Sequence, residues 1–350
     1  MKMKKLAALV LSSAMVLSLA ACGSSGSKPA AGSAAASGAA SAATSFDKMT
    51  WSAATSGADG SNFAAGLEKF SELVSEKTGG AVTVEVYTSD QLTNGNQADS
   101  LQGVMDGTID MAFQADGIWG NFDGAFGIPN LPFLFSSYDD VDSKLINGEG
   151  GQYLSDLLRS EFGVECLGIG ENGFRYITNS KHPIETPDDL KGLKMRVGGS
   201  PMLTGAYELW GSDYTTAAWA EVYTGLQTGL YDGQENPIAV ADASSIQEVQ
   251  KYCTAWTAQY SCMFMTMNGD LYDSLSDELK AIVDECGKEA CAYQVDLTRQ
   301  QCEDCLKKWV SDYDFEVYDM TEENADKFRQ LSLPLYDDYA QYNDLINLLK

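Results

Sequence analysis

The chain reads as an α/β protein of two lobes, and three observations predict this. Helical and strand signals alternate from Thr50 onward. An early β-α-β stretch has connections so short that a parallel-type sheet covered by helices is the expected arrangement. The roughly 300 residues of structured chain are enough to bury a large core and to split into two lobes.

Phe63, Leu67, Phe70, Leu73 and Val74 form a helical stripe that stops at Gly79-Gly80, where a helix end favours positive φ. Ala81 to Tyr87 alternates and is rich in β-branched residues, which predicts a strand. A helix at Leu101 to Met105 stops at Asp106-Gly107, and a strand over Ile109 to Phe113 follows. Phe126 to Phe135 is apolar but broken by Pro129 and Pro132, so it is expected to be packed and irregular. Gly163 to Ile169 predicts a strand, and Asp188 and Asp189 start a helical turn. In the strand Leu193 to Val197, Met195 and Val197 face one way and Lys194 and Arg196 the other. Glu221 to Gly229 is a short helix with Val222, Leu226 and Leu230 on one face. Asp232 to Pro237 is expected as a turn-rich loop. From Ser276 to about Val310 no proline interrupts a helical pattern in which Tyr293, Leu297, Cys305 and Trp309 recur. Such a helix is long enough to cross both lobes.

The N-terminus sets the compartment. Lys2, Lys4 and Lys5 precede an apolar run from Leu6 to Leu19, too short to span a bilayer, and then Leu19-Ala20-Ala21-Cys22. This is the bacterial lipobox pattern, so residues 1–22 are expected to be a signal peptide with Cys22 lipidated. Residues 23–47 are mostly Gly, Ser and Ala, a composition that builds no core and predicts a flexible tether. The expected location is extracytoplasmic, lipid-anchored to the cell membrane.

Fifty acidic residues against 23 basic ones make a nucleic-acid or anionic-lipid surface untenable. An anionic ligand would therefore need a locally positive pocket on a repulsive body. Apart from Cys22, seven cysteines remain, an odd number that leaves at least one thiol free or paired between molecules. Cys302 and Cys305 lie one helical turn apart, with Cys286 and Cys291 nearby; a zinc site fits this spacing poorly, and no metal or other cofactor is expected.

Several stretches, read in order, resemble the solute receptors of TRAP (tripartite ATP-independent periplasmic) transporters, the DctP-like family, here in lipoprotein form. They are Thr78 to Tyr87, Asp106 to Ala112, Leu131-Pro132-Phe133-Leu134-Phe135 and Glu171-Asn172-Gly173-Phe174-Arg175. The most specific is Pro187-Asp188-Asp189-Leu190-Lys191-Gly192-Leu193-Lys194-Met195-Arg196-Val197. Glu221-Val222-Tyr223, Gln234-Glu235-Asn236-Pro237 and Glu248 to Tyr252 complete the set. The resemblance implies a two-lobe periplasmic-binding-protein-like fold with a mixed sheet in each lobe and a long helix spanning both. It divides the chain into lobe I, 48–172 with 261–300, and lobe II, 173–260 with 301–350. It implies a monomeric receptor, not an enzyme, that binds a small carboxylate between the lobes and delivers it to the TRAP membrane subunits.

By the same resemblance, Arg196 is the carboxylate anchor, with Arg175, Asn236 and Trp219 beside it. A guanidinium suits this role because its planar fork pairs two N–H donors with two carboxylate oxygens. On a strand an arginine is by default solvated or ion-paired, so the motif context is what nominates Arg196. The chain departs from its relatives at Gly211-Ser212-Asp213-Tyr214-Thr215-Thr216-Ala217, where many have Gly-Ala-Ser-Pro-Thr-Pro-Met, and at Gln114 to Trp119. Tyr214 and Trp119 are therefore added as ligand-lining candidates. With Trp210 and Trp219 they suggest an acid bulkier than a C4-dicarboxylate, aromatic in character.

Rival functions fare worse. One histidine, His182, removes His-based triads and His-rich metal sites. No phosphate loop or nucleophile elbow occurs. An extracellular carboxylate-pair hydrolase survives on composition, but among abundant acids Asp110, Glu221 and Glu235 nominate no pair. A lipoprotein receptor that feeds a sensor kinase is the other alternative.

Overall fold

A computed structural model describes residues 46–350 of the protein. The signal segment, Cys22 and the tether up to residue 45 lie outside the described residues. Among the described residues the strands are eleven: β1 (Met49–Thr55), β2 (Val82–Tyr87), β3 (Met111–Ala115), β4 (Val164–Phe174), β5 (Tyr176–Asn179), β6 (Lys194–Val197), β7 (Asp213–Thr216), β8 (Gly233–Asn236), β9 (Tyr252–Ala255), β10 (Tyr260–Asn268) and β11 (Glu316–Asp319). They form two mixed sheets, one per lobe, in the orders β2-β1-β3-β10-β4 and β11-β9-β5-β8-β6-β7. In the first, β1 runs parallel to β2 and β3, while β10 runs antiparallel to β3 and β4. In the second, β6 runs parallel to β7 and β8, and β5 is antiparallel to β8 and β9.

Local chemistry explains the early elements. Ser61 caps the helix Asn62–Lys77 by accepting the Ala64 N–H, and the apolar stripe, all buried, packs under β1 and β2. The helix ends at Thr78, followed by Gly79 and Gly80 at φ +62° and +81°, conformations that a Cβ would oppose. Around Phe133 the two-proline segment is irregular, a 3₁₀ stretch Gly124–Asn130 followed by left-handed backbone at Phe133. Thr186 and Asp189 cap each other at the turn Pro187–Leu190.

The long helix runs Asp277–Tyr313, started by Ser276 accepting from Leu279 N–H, about 55 Å at 1.5 Å per residue. Its buried face differs from the expected stripe: Tyr293 is 44% exposed, while Val283, Gly287, Cys291, Gln294 and Thr298 face inward. Polar and small residues mark this face because the helix touches backbone there. A Cβ at Gly287 would stand 2.5 Å from the Leu167 carbonyl oxygen, so only glycine lets the helix lie on β4. Gln294 exchanges two hydrogen bonds with the Glu171 backbone, donating at 2.7 Å and accepting at 2.8 Å. At the far end, the Trp309 indole donates to Asp242 at 2.6 Å and is buried under the second sheet.

Two expectations fail. The Asp232-to-Pro237 stretch is not a loop: its middle is β8, buried along its length between β5 and β6. Its residues are polar and so carry no strand signal, but each side chain finds a distant partner. Gln234 donates to Thr178 at 2.9 Å, and Glu235 and Asn236 both bind Arg175. Leu230 is 60% exposed, because the preceding helix ends at Gln227 and Gly229 (φ +74°) turns the chain outward. Near the C-terminus, Asn343–Leu349 packs on the helix Glu149–Phe162 beside the first sheet. Tyr342 donates to Asp123 at 3.0 Å on the same side.

One continuous core joins the lobes, from Leu101 and Phe264 through Phe174 and Tyr260 to Met195 and Trp210. Two of the chain crossings between the sheets, β4 to β5 and β9 to β10, are bonded to each other, Arg175 N–H to the Gln259 carbonyl at 2.9 Å. The Trp256 indole donates to the Arg175 carbonyl at 3.0 Å. None of the seven described cysteines is bridged, and no described group of His, Cys, Asp and Glu is arranged to hold a metal. Among the described residues, no helix is long and apolar enough to cross a membrane.

Candidate functional site

Between the two sheets lies a cavity of about 110 Å³. Its second-lobe wall carries Arg175, Arg196, Ser200, Trp219 and Asn236; its first-lobe wall carries Asn62, Asn130, Asn172 and Ser261. The two arginines are its only charged lining residues among those described.

Arg196 arrives on β6, where alternation puts Met195 and Val197 into the core and turns Arg196 to the cavity, only 5% exposed. Its Nε and Nη2 both donate to the Ala217 carbonyl, at 3.1 and 2.7 Å, and the Trp219 ring lies 5.6 Å away. No described carboxylate lies within ion-pair distance of it. Burial pulls its pKa down to about 10; Glu235 nearby opposes that shift and Arg175 adds to it.

Arg175, at the crossing from β4 to β5, is compensated. Its Nε is ion-paired with the Glu235 carboxylate, and its Nη2 donates to Asn236 Oδ1 at 2.8 Å. The second Glu235 oxygen accepts the Gly198 N–H at 2.8 Å, so the buried carboxylate has partners on both sides. Asn236 in turn donates to Gln234 Oε1 at 2.8 Å.

The first-lobe wall is organised by Asp116, which is fully buried. Its carboxylate accepts from Ser261 Oγ at 2.7 Å, Asn130 Nδ2 at 2.9 Å and Cys262 N–H at 2.9 Å. Burial raises the Asp116 pKa, against these bonds. A carboxylate only accepts, so the Asn130 amide must present its nitrogen to Asp116. Asn172 Nδ2 donates to Ser261 Oγ at 3.1 Å. Both amide oxygens are thus left over: Asn130 Oδ1 and Asn172 Oδ1 are buried without a partner, as is Ser200 Oγ. Unpaired buried polar atoms are costly, and three around one cavity suit a ligand carrying hydrogen-bond donors.

The structure brings Arg175, Arg196, Asn236 and Trp219 together. It does not bring Trp119 or Tyr214 to them. Trp119 is sealed in the first-lobe core against Phe126 and Phe162, ring centroids 5.7 and 5.8 Å away. Tyr214 pairs with Met195 in the parallel β6–β7 register and shares its face, so Thr215 stands beside Arg196 instead. Trp210 packs on Tyr207, Trp256 and Phe328. With three of the four aromatic residues elsewhere, the basis for a bulky aromatic ligand is gone. Asn130, Ser200, Asp116 and Ser261 escaped sequence reasoning; the available signal was a lone polar residue inside an apolar run, as at Asn130 between Pro129 and Leu131. The suspect carboxylates do not converge: Asp110 binds Ser52, Glu221 is exposed, and Glu235 is held by Arg175.

Comparison with known proteins agrees with this architecture. The model of the bacterial extracellular solute-binding protein family 7 (DctP) matches residues 53–342. The 2,3-diketo-L-gulonate-binding periplasmic protein YiaO of Escherichia coli (strain K12) is 34% identical over 246 residues, 70% of this chain and 73% of the relative. The C4-dicarboxylate-binding periplasmic protein DctP of Rhodobacter capsulatus is 29% identical over 277 residues, 79% of this chain and 82% of the relative. A crystal structure of a TRAP periplasmic solute binding protein from Sulfitobacter sp. NAS-14.1, with bound beta-D-galacturonate, superposes with a TM-score of 0.80 at 30% identity, covering 86% of this chain and 99% of that one.

Proposed function

Because the chain belongs to family 7 of the bacterial extracellular solute-binding proteins, we propose that its cavity takes a small hydroxylated organic acid, with Arg196 as the carboxylate anchor. The family consists of extracytoplasmic receptors serving TRAP-type transporters, and this chain is such a receptor. The observation that carries the ligand reading is a buried guanidinium with no carboxylate partner among the described residues. The Ala217 carbonyl and the Trp219 ring hold this guanidinium without neutralising it, so its charge is left for an incoming carboxylate. Ala217 occupies the Nε–Nη2 edge, so the acid meets Arg196 end-on, through Nη1 and the second Nη2 hydrogen.

The free oxygens of Asn130 and Asn172 accept from ligand hydroxyls, and Ser200 Oγ adds a further contact. Two of the relatives support a hydroxylated acid, one named for binding 2,3-diketo-L-gulonate and another holding galacturonate, while the third is named for C4-dicarboxylates. Arg175, fastened to Glu235 and Asn236 beside the inter-sheet crossing, orients the ligand between the lobes. Lipidation at Cys22 tethers the receptor outside the membrane, and it works as a monomer.

Titration calorimetry with galacturonate, 2,3-diketogulonate and C4 hydroxy acids tests the reading. At least one acid should bind in the micromolar range or tighter, and its methyl ester should not. Equal heats for acid and ester would refute an arginine-held carboxylate.

A further inference from the structure

We infer that Glu235 sets the charge selectivity of the cavity, making the receptor prefer singly charged acids over dicarboxylates. This rests on the carboxylate-receptor reading above. The charge count is short. Arg175 and Arg196 supply the only charges lining the cavity among the described residues. Glu235 stands behind them, 1% exposed, with its carboxylate bound to Arg175 Nε and to the Gly198 N–H. Water does not reach it to screen it, so it neutralises Arg175 and leaves Arg196 as the one uncompensated cation.

The first-lobe wall rejects a second carboxylate. Its leftover atoms there are acceptors, Asn130 Oδ1 and Asn172 Oδ1, and the Asp116 carboxyl stands directly behind Asn130. No Lys, Arg or His lines that side. A hydroxyl placed there donates; a carboxylate would face lone pairs with no cation to meet it. Discrimination of this kind works by stranding the wrong ligand's charge, not by size.

If Glu235 served only to hold Arg175 and Gly198 in place, replacing it would weaken all acids alike. The test is therefore a ratio. Affinities are measured at pH 8 for near-isosteric pairs of one and two charges: galactonate and galactarate, erythronate and tartrate, 2-hydroxybutyrate and malate. In the native protein the best-bound pair should favour the monoanion at least about tenfold. Glu235→Gln frees the Arg175 charge and should shift that ratio toward the dianion by about tenfold or more. The double variant Arg175→Gln with Glu235→Gln keeps one net positive charge and should keep the monoanion preference, at lower affinity. A native protein that binds a dianion as tightly as its partner overturns the inference. So does a folded Glu235→Gln variant with an unchanged ratio, or a double variant that has lost the preference. Should Glu235→Gln not fold, the native ratio and the double variant still decide. A native protein that binds no carboxylate at all would instead overturn the receptor reading itself.

Discussion

Replacing Arg196 by methionine should abolish binding while leaving the empty protein about as stable as before. Burial lowers its pKa well below the usual guanidinium range, to about 10, which weighs about 3 kcal/mol against the charged side chain. Its two bonds to the Ala217 carbonyl and its contact with the Trp219 ring offset that, at about 1.5 kcal/mol per charged hydrogen bond and about 1 kcal/mol for the ring. The terms nearly cancel, and methionine fills the same space, so the unfolding midpoint should move only a few degrees. An arginine held in a buried structural ion pair would behave otherwise, with a loss of about 3–5 kcal/mol. Binding, by contrast, loses two charge-assisted hydrogen bonds to the carboxylate, so Kd should rise at least about 100-fold. Differential scanning fluorimetry and titration calorimetry on Arg196→Met read the two quantities separately. A variant that melts far lower, or that binds as tightly as the native protein, refutes the reasoning.

Two further outcomes follow from groups outside the cavity. Arg299 holds the fully buried Glu171, Nη2 to Oε2 at 2.8 Å, and also Asp142 at 2.6 Å. Arg299→Ala should cost about 3–5 kcal/mol in chemical denaturation, more than Arg299→Met combined with Glu171→Met; equal losses would show that the stranded carboxylate is not the cause. Burial pushes Cys166, Cys286 and Cys302 each up to about 11. These thiols lie above their ordinary value, so at pH 8 only about one in a thousand is thiolate and reaction with a disulfide reagent should be slow. It should accelerate as pH rises toward 11, and in denaturant the seven described thiols should react at once. A fast native burst from these three at pH 8, or fewer than seven thiols in denaturant, contradicts this.

Features written in local patterns were legible. The stripe from Phe63 to Val74 with its Gly79-Gly80 stop, the alternation of Ala81 to Tyr87 and the start of the long helix at Ser276 all match the structure within a few residues. Arg196 was legible because alternation along β6 and the motif around it agree. What failed was non-local. β8 looked like a loop because Gln234, Glu235 and Asn236 are polar, and their partners lie 56 to 61 residues away. Trp119 and Trp219 are the same residue type in plausible stretches, yet one is sealed against Phe126 and the other lines the cavity.

The sequence by itself determined the α/β class, the long proline-free helix, the family and the arginine that the structure turns to the cavity. Each is set by periodicity or by motifs a few residues long, where neighbours in the chain are neighbours in space. Only the tertiary structure decided that Arg175 is neutralised by Glu235 and Arg196 is not. It alone showed that the Asn130 and Asn172 oxygens are left without partners. Charge compensation and hydrogen-bond satisfaction depend on which side chains from distant segments come within about 3 Å, and no pattern within one segment encodes that.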